Sequence, residues 1–444
     1  MTLSEMVREN KTFSGGDPFW ANACVGNNGF PGYWEYAIGF SQAAKLLIDI
    51  VLHDKSAKYS VDVFVYPVCF NMRHSVELRL KGAISELISI ELIRDRKLEF
   101  DLAGSHDIGN IWRFFAEKSI SIDDRYTTIN ACLEAKISDI AEIDATGQTF
   151  RYPLDTKSQK HLVDVGNINF VNLKKSFFEL ETALYNLHLL NIYLHTEYEV
   201  NTFTKNLSRK KIFEIASKLP NRCEWSKASF DTIKRNIKEQ FEIGSKELSD
   251  SIKIIESNFE LAPMIGMTKP LLGVSDGNII EFMNHWFKLH DLPSDTEPID
   301  LKTNDGSDAF FESIDRDAEI CNKIWHSLES KLTPEVLAGF SALFYYARDD
   351  LKFSERYVHI YESELQEATT VFEKSREEVR LKLFHIFNKT TVPFNFLRSL
   401  YFLKKSELAE RLISLYGLDS KFSWLDEARS GVLFKKPDYC GYTI

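Results

Sequence analysis

The apolar residues of this chain recur mainly at the three- and four-residue spacing of a helix, and strict alternation is almost absent. In the first half, this spacing predicts helices at Tyr33–Leu52, Val65–Arg94, Ile108–Lys118, Ile122–Ile143 and Leu173–His195. In the second half, the predicted helices are Arg209–Leu219, Phe230–Phe259, Ile279–His290, Ile314–Leu332, Pro334–Leu351, Phe353–Phe387 and Ser406–Tyr416. Lys97–Asp101 and Thr149–Tyr152 are weak strand candidates. The pattern therefore predicts an all-α fold.

Two polar stretches divide this helical pattern. Glu199–Ser208 follows the first group of helices, and Asp291–Asp308 contains two prolines, a glycine and six acidic residues. We therefore expect an N-terminal segment (1–32), a helical bundle (33–199), a helical middle region (200–290), an acidic loop (291–308) and a C-terminal helical region (309–444).

Composition narrows the functional classes. The 444 residues carry a formal net charge of -11, which argues against a dedicated reader of duplex DNA but permits a local basic groove. Six cysteines lie far apart, and no apolar leader or uninterrupted membrane-length segment is visible, so we expect a cytoplasmic protein without contact to a membrane. Metal-ligand spacings and phosphate-binding loops are also missing, so no cofactor and no metal is expected.

Three short stretches carry more specific information. In the helix around residues 66–81, Arg73, Glu77 and Lys81 recur every four residues and form one charged seam beside an apolar side. The simplest interpretation is a solvated face whose ion pairs contribute ~0.2–0.5 kcal/mol each. The other two stretches are His106-Asp107 before an apolar helix, and Phe150-Arg151-Tyr152-Pro153 after an acidic helix end.

In this order, the three stretches resemble a group of HEPN-like bacterial helical proteins. The shared pattern is RHxxELxLK, then HDxxxxW, then FRYPxD, and the resemblance covers Tyr33 to His195. It implies a bundle of four or five helices and an RNA-related role, often in defence against phage and other mobile elements. Active members of this kind are metal-independent ribonucleases or toxins, and they usually act as homodimers.

Metal-free RNA cleavage requires a group that accepts the 2′-hydroxyl proton, an acid for the leaving oxygen and cations for the phosphorane. Arg73, His74, His106 and Arg151 are the residues of the matching stretches that could supply this chemistry, and they form the predicted catalytic set. The predicted binding set comprises Glu77, Lys81, Asp107 and Tyr152. The leading hypothesis is therefore an endoribonuclease or toxin-type effector with RNA as its partner.

The alternative is a non-catalytic HEPN-like module that senses or scaffolds a partner protein or nucleic acid. Active members separate the Arg from the His by four to six residues, whereas His74 follows Arg73 directly. The same polar residues could then form a network that holds the helices together. The two interpretations differ in geometry, since catalysis requires Arg73, His106 and Arg151 to line one solvent-reachable cleft.

Overall fold

The structure is a computed structural model that describes residues 10, 12–53, 58–155, 157–290, 319–348 and 353–442. In this part of the chain it contains sixteen helices and no strand, which confirms the all-α prediction. In the first half the helices are α1 (Tyr33–His53), α2 (Val61–Ile93), α3 (Ile108–Ile122), α4 (Tyr126–Asp144) and α5 (Phe170–Glu199). The next four are α6 (Arg209–Lys218), α7 (Ser229–Phe241), α8 (Ser245–Ser257) and α9 (Asp276–Leu289). The last seven are α10 (319–328), α11 (Pro334–Arg348), α12 (Glu355–Lys374), α13 (Arg376–Phe387), α14 (Val392–Phe402), α15 (Ser406–Tyr416) and α16 (Leu425–Arg429).

The chain divides into two compact units, Met1–His195 and Thr196–Ile444. The finer regions predicted from the sequence stay predictions, and the acidic loop 291–308 lies outside the described residues. None of the helices in the described ranges combines the length and the apolar character that a membrane crossing requires. The same ranges contain no cluster of His, Cys, Asp and Glu arranged to hold a metal ion.

The first unit is built on the long helix α2. Its apolar side packs against α1 and the first half of α5, around Ile48, Val68, Met72 and Phe177. The Ser60 side chain accepts a hydrogen bond from the backbone N–H of Asp62 and so satisfies one free donor at the start of α2. This packing fixes the helix that carries the predicted charged seam.

Two predicted strands and two predicted long helices are corrected by the structure. Residues 97–101 and 149–152 contain no strand, and an isolated bridge between Leu154 and Lys160 is the nearest approach to one. The predicted helix Phe230–Phe259 is interrupted at Glu242, whose left-handed backbone (φ 53°) ends α7. The predicted helix Phe353–Phe387 is interrupted at Ser375, whose extended backbone ends α12 and whose hydroxyl caps α13.

The second unit contains a buried cluster of charged side chains that joins its first and last described segments. Arg209 is 1% exposed and contacts Glu260 at 2.5 Å and the hydroxyl of Tyr442 at 2.7 Å. That hydroxyl donates to Glu197 at 2.6 Å, and Lys436 lies 3.2 Å from Glu260. Burial opposes the charge on Glu260, but Arg209 and Lys436 outweigh it and lower its pKa to about 2. The cluster is thus ionised and internally paired.

Candidate functional site

The charged seam of α2 is buried. Arg73, Glu77 and Lys81 are between 3% and 5% exposed, so the seam is not the solvated face that its spacing first suggested. Lys81 Nζ lies 2.9 Å from Glu77, and Arg73 forms an ion pair with the same carboxylate. His106 makes the third contact, with its Nδ1 donating to Glu77 at 3.0 Å. We refer to these four residues as the Arg73 network.

Backbone carbonyl groups complete the coordination of Arg73. Its Nε donates to the carbonyl of Asp144 at 3.1 Å, and its Nη2 donates to the carbonyls of Ala145 (2.7 Å) and His106. The Ala145 carbonyl also accepts the N–H of Ile108 at 2.8 Å. Arg73 therefore joins the end of α4 and the start of α3 to α2, which is the role of a structural clamp.

Gly147 allows the chain to pass close to the clamp. Its φ of +76° lies in the left-handed region, and a Cβ placed there would lie 3.2 Å from Arg73 Nη1. A glycine accepts both the backbone conformation and the close approach at little cost. The turn after α4 therefore closes over the guanidinium instead of leaving it open to solvent.

Glu77 remains ionised inside this network. Burial alone would raise its pKa, but the hydrogen bonds and charges of Lys81, Arg73 and His106 outweigh burial and hold the pKa below its usual value. The carboxylate in turn orients the imidazole of His106, whose side chain is 61% exposed. His106 is thus the solvent-facing member of the Arg73 network.

The remaining predicted catalytic residues lie outside the network. The His74 ring is half-buried, edge-on to Phe40 at 4.5 Å and stacked on Phe70 at 5.7 Å, and burial lowers its pKa. Arg151 is exposed, and its guanidinium lies over the rings of Phe70 (5.6 Å) and Tyr152 (5.3 Å). Arg73 and His106 therefore share the Glu77 carboxylate, whereas His74 and Arg151 share the Phe70 ring. The charges of Arg73 and Arg151 both act on His74, so the two pairs lie within electrostatic reach of each other.

Two predicted binding residues have clear local roles. The Asp107 side chain accepts the N–H of Asn110 at 2.9 Å and caps the start of α3. Tyr152 is 49% exposed, and its hydroxyl accepts from Arg151 Nη2 at 3.4 Å. Of the four predicted binding residues, Tyr152 alone presents a large exposed surface to a partner.

A cavity of about 830 Å³ opens beside Arg151 and Tyr152. Its walls are the start of α2 and residues 149–154, 160–162 and 165–168. We call it the basic groove, because Arg151, Lys160 and His161 line it, whereas Asp62 is the single acidic residue that lines it among those the structure describes. Within the described part of the chain, no carboxylate pairs with Arg151 or Lys160, and His161 Nε2 is buried without a hydrogen-bond partner.

Tyr66, Lys160 and His161 also line the groove, although none of them is among the predicted site residues. Tyr66 is 48% exposed and lies on α2, one turn before the helix enters the core. Lys160 is brought next to the FRYP stretch by its bridge to Leu154. The basic run 157–161 directly after FRYPxD was the available signal for the last two.

The chain was compared with protein-family models, with curated proteins and with solved structures, and none of the three comparisons finds a match.

Proposed function

We propose that the first unit is a non-catalytic HEPN-like module that binds single-stranded RNA in the basic groove. The observation that carries this proposal is the unpaired positive charge of Arg151 and Lys160 beside exposed tyrosine rings. Cationic side chains bind the phosphate backbone, and aromatic rings stack on bases that are not held in a duplex. Tyr66 and Tyr152 supply such rings, each about half exposed.

The Arg73 network supports the non-catalytic form of the module. A catalytic arginine has to reach the phosphorane, but Arg73 is 4% exposed and its guanidinium is occupied by a carboxylate and three backbone carbonyls. Freeing it for substrate would remove one donor from Glu77 and one from each of those carbonyls. The arginine of the RHxxELxLK stretch therefore serves the bundle.

A binding experiment tests this function. Fluorescence anisotropy with a labelled single-stranded RNA in EDTA would compare the wild type with Arg151→Ala/Lys160→Ala and with the control Arg113→Ala, an exposed arginine outside the groove. We expect the double variant to weaken binding by about tenfold or more. The slope of log K against log salt concentration should become shallower by about 1.4, because two phosphate contacts are lost. Equal affinity of wild type and double variant, or no binding by wild type, would refute the proposal.

The second candidate is the metal-independent ribonuclease. The contact between the exposed His106 and the buried Glu77 favours it, because a carboxylate orients an imidazole for proton transfer. Gel analysis of the same RNA would decide the matter. If the wild type cleaves the RNA and His106→Ala abolishes cleavage without changing the thermal unfolding of the protein, the function is catalysis and not binding alone. If the RNA stays intact with the wild type, ribonuclease activity on this RNA is excluded. The defence role and the toxin activity implied by the family resemblance stay predictions.

We also propose that two copies of the chain pair through α5. Four exposed apolar residues recur every seven positions on this helix, at Val171, Phe178, Tyr185 and Ile192. In an antiparallel two-fold pair, Phe178 would meet Tyr185 of the second copy, and Val171 would meet Ile192, so the stripe is self-complementary. Light scattering should show a dimer that Phe178→Glu converts to a monomer, while Glu142→Gln on α4 leaves the mass unchanged; a wild-type monomer would refute the pairing.

A further inference from the structure

A second cavity of about 290 Å³ lies in the first unit, apart from the basic groove. Its walls are the first turn of α1, the middle of α2 and residues 184–191 of α5. Arg79 and Glu86 both line it from α2. They are seven residues apart, so they project from the same side of the helix with an axial rise of about 10 Å between them. We call this space the Arg79 cavity.

Arg79 lacks partners for most of its donors. Its side chain is 7% exposed, and it makes one ion pair, from Nη2 to Glu181 at 3.1 Å. Its Nε and Nη1 are buried, and neither has a hydrogen-bond partner among the described residues. Glu181 cannot neutralise Arg79 fully, because Lys45 lies 3.1 Å from the same oxygen. The cavity wall therefore contains a buried guanidinium with free donors, an arrangement that normally costs stability.

A carboxylate without a partner lies two turns further along. No hydrogen bond or ion pair within the described ranges involves the Glu86 side chain, although it lines the cavity. Glu35, on the first turn of α1, accepts the N–H of Gly32 at 2.7 Å, and its charge acts on His188 of α5. One end of the cavity is therefore suited to an anion and the other end to an ammonium group.

Aromatic side chains close the arginine end. The Trp34 ring lies over the Arg79 guanidinium at 4.6 Å, and His188 stacks on the same indole at 3.5 Å. Burial and the charge of Arg79 lower the pKa of His188 and outweigh the opposite effect of Glu35, which favours the neutral ring. Trp34 is half-buried in the first turn of α1. Rotation of its indole about the side-chain bonds would open the guanidinium to a ligand.

We propose that the Arg79 cavity binds a small organic zwitterion, with its carboxylate on Arg79 and its ammonium group near Glu86. The ligand satisfies the free donors of Arg79 and supplies the missing counter-charge for Glu86. Its two charged groups must be separated by several carbon atoms, because the two protein groups lie two helical turns apart. Binding moves Trp34 away from the guanidinium.

A homologous set of probes tests the proposal on the full chain. Calorimetric titration would compare 6-aminohexanoate with hexanoate, which lacks the amine, with hexylamine, which lacks the acid, and with glycine, which is too short. We expect saturable binding of 6-aminohexanoate and binding of the other three weaker by about tenfold or more, because each loses one charged contact. Equal affinity for hexanoate, or no saturable binding of 6-aminohexanoate at millimolar concentration, would overturn the proposal.

Two variants locate the site. Glu86→Gln keeps the shape of a side chain that has no partner, so it should fold normally and weaken 6-aminohexanoate about tenfold, whereas the matched variant Glu142→Gln on α4 should bind as wild type does. Tryptophan fluorescence should change on binding in wild type and much less in Trp34→Phe. Unchanged affinity of Glu86→Gln, or the same fluorescence change in Trp34→Phe, would refute this site. The RNA experiment above uses other residues, so either proposal can fail alone.

Discussion

Replacing Arg73 with methionine removes the charge that joins three helices of the first unit. Methionine fills most of the arginine volume, so the main loss is electrostatic. The variant leaves Glu77 buried with less counter-charge and leaves the carbonyls of Asp144, Ala145 and His106 without their shared donor. Breaking a buried ion pair in this one-sided way costs about 3–5 kcal/mol.

Hydrogen exchange detected by mass spectrometry measures this loss where it occurs. The N–H of Ile108 donates to the Ala145 carbonyl, which is one of the groups that Arg73 holds. We expect exchange in peptides covering the start of α3 and the end of α4 to accelerate by about two decades or more in Arg73→Met. Peptides of the second unit report on the same sample and should keep their rates, because the perturbation is local.

The exposed Arg113 on α3 supplies the control. Its Nη1 donates to Asn110 at 2.9 Å at the surface, so Arg113→Met should change stability by about 0.5 kcal/mol or less. An Arg73→Met protein that keeps wild-type exchange but loses RNA binding or cleavage would refute the structural role, and it would return Arg73 to the functional site.

Three further predictions concern the Arg73 network and the buried cluster around Arg209. Gly147→Ala should destabilise the first unit by about 1–2 kcal/mol in thermal unfolding, because alanine disfavours the φ of +76° and its Cβ crowds Arg73. The pKa of Glu77 is lowered in the folded state, so its contribution to the free energy of unfolding is complete above the unfolded pKa of about 4.3 and is lost as the pH falls through the folded pKa. Glu77→Gln should therefore show a smaller loss of unfolding free energy at acidic pH, measured by urea titration. Tyr442→Phe should destabilise the second unit by about 1–3 kcal/mol in denaturant titrations, because Arg209 and Glu197 both lose a buried partner.

Each of these predictions has an outcome that contradicts it. Gly166→Ala is the comparison for Gly147, since Gly166 has no neighbour within 4 Å of an added Cβ and no positive φ, and equal melting of the two variants would exclude a special role of the turn. If Glu77→Gln loses as much unfolding free energy at low pH as the wild type does, other carboxylates cause that loss. Tyr361→Phe is the comparison for Tyr442, and equal stability of both variants would show that the buried hydroxyl contributes nothing.

Helix ends that depend on local chemistry were predictable from the sequence. Thr333 followed by Pro334 is a helix-start signal in the sequence, and Thr333 caps α11 by accepting the N–H of Val336. A glycine directly after a helix is a common stop, and Gly417 ends α15 with a left-handed backbone (φ 64°). In both cases the deciding groups lie within four residues of each other, so the sequence contains the whole interaction.

Features that depend on distant packing were not predictable. Helix α14 (Val392–Phe402) is not among the predicted helices: its eleven residues fill only the shortest window in which helical spacing is recognised, and packing buries nearly all of them. The seam of Arg73 and Glu77 was visible as a spacing, but its burial results from the carbonyls of Asp144 and Ala145, some 70 positions later. A spacing alone cannot distinguish an exposed charged face from a clamp.

The buried cluster of the second unit also affects how this protein can be made. Arg209 and Glu197 both hydrogen-bond to the hydroxyl of Tyr442, which lies more than 230 positions further along the chain. During synthesis, Glu260 and Glu355 become available to Arg209 well before Lys436 and the Tyr442 hydroxyl leave the ribosome to complete the cluster. The start of the second unit therefore reaches its final packing only after residue 442 has been translated and released from the ribosomal tunnel.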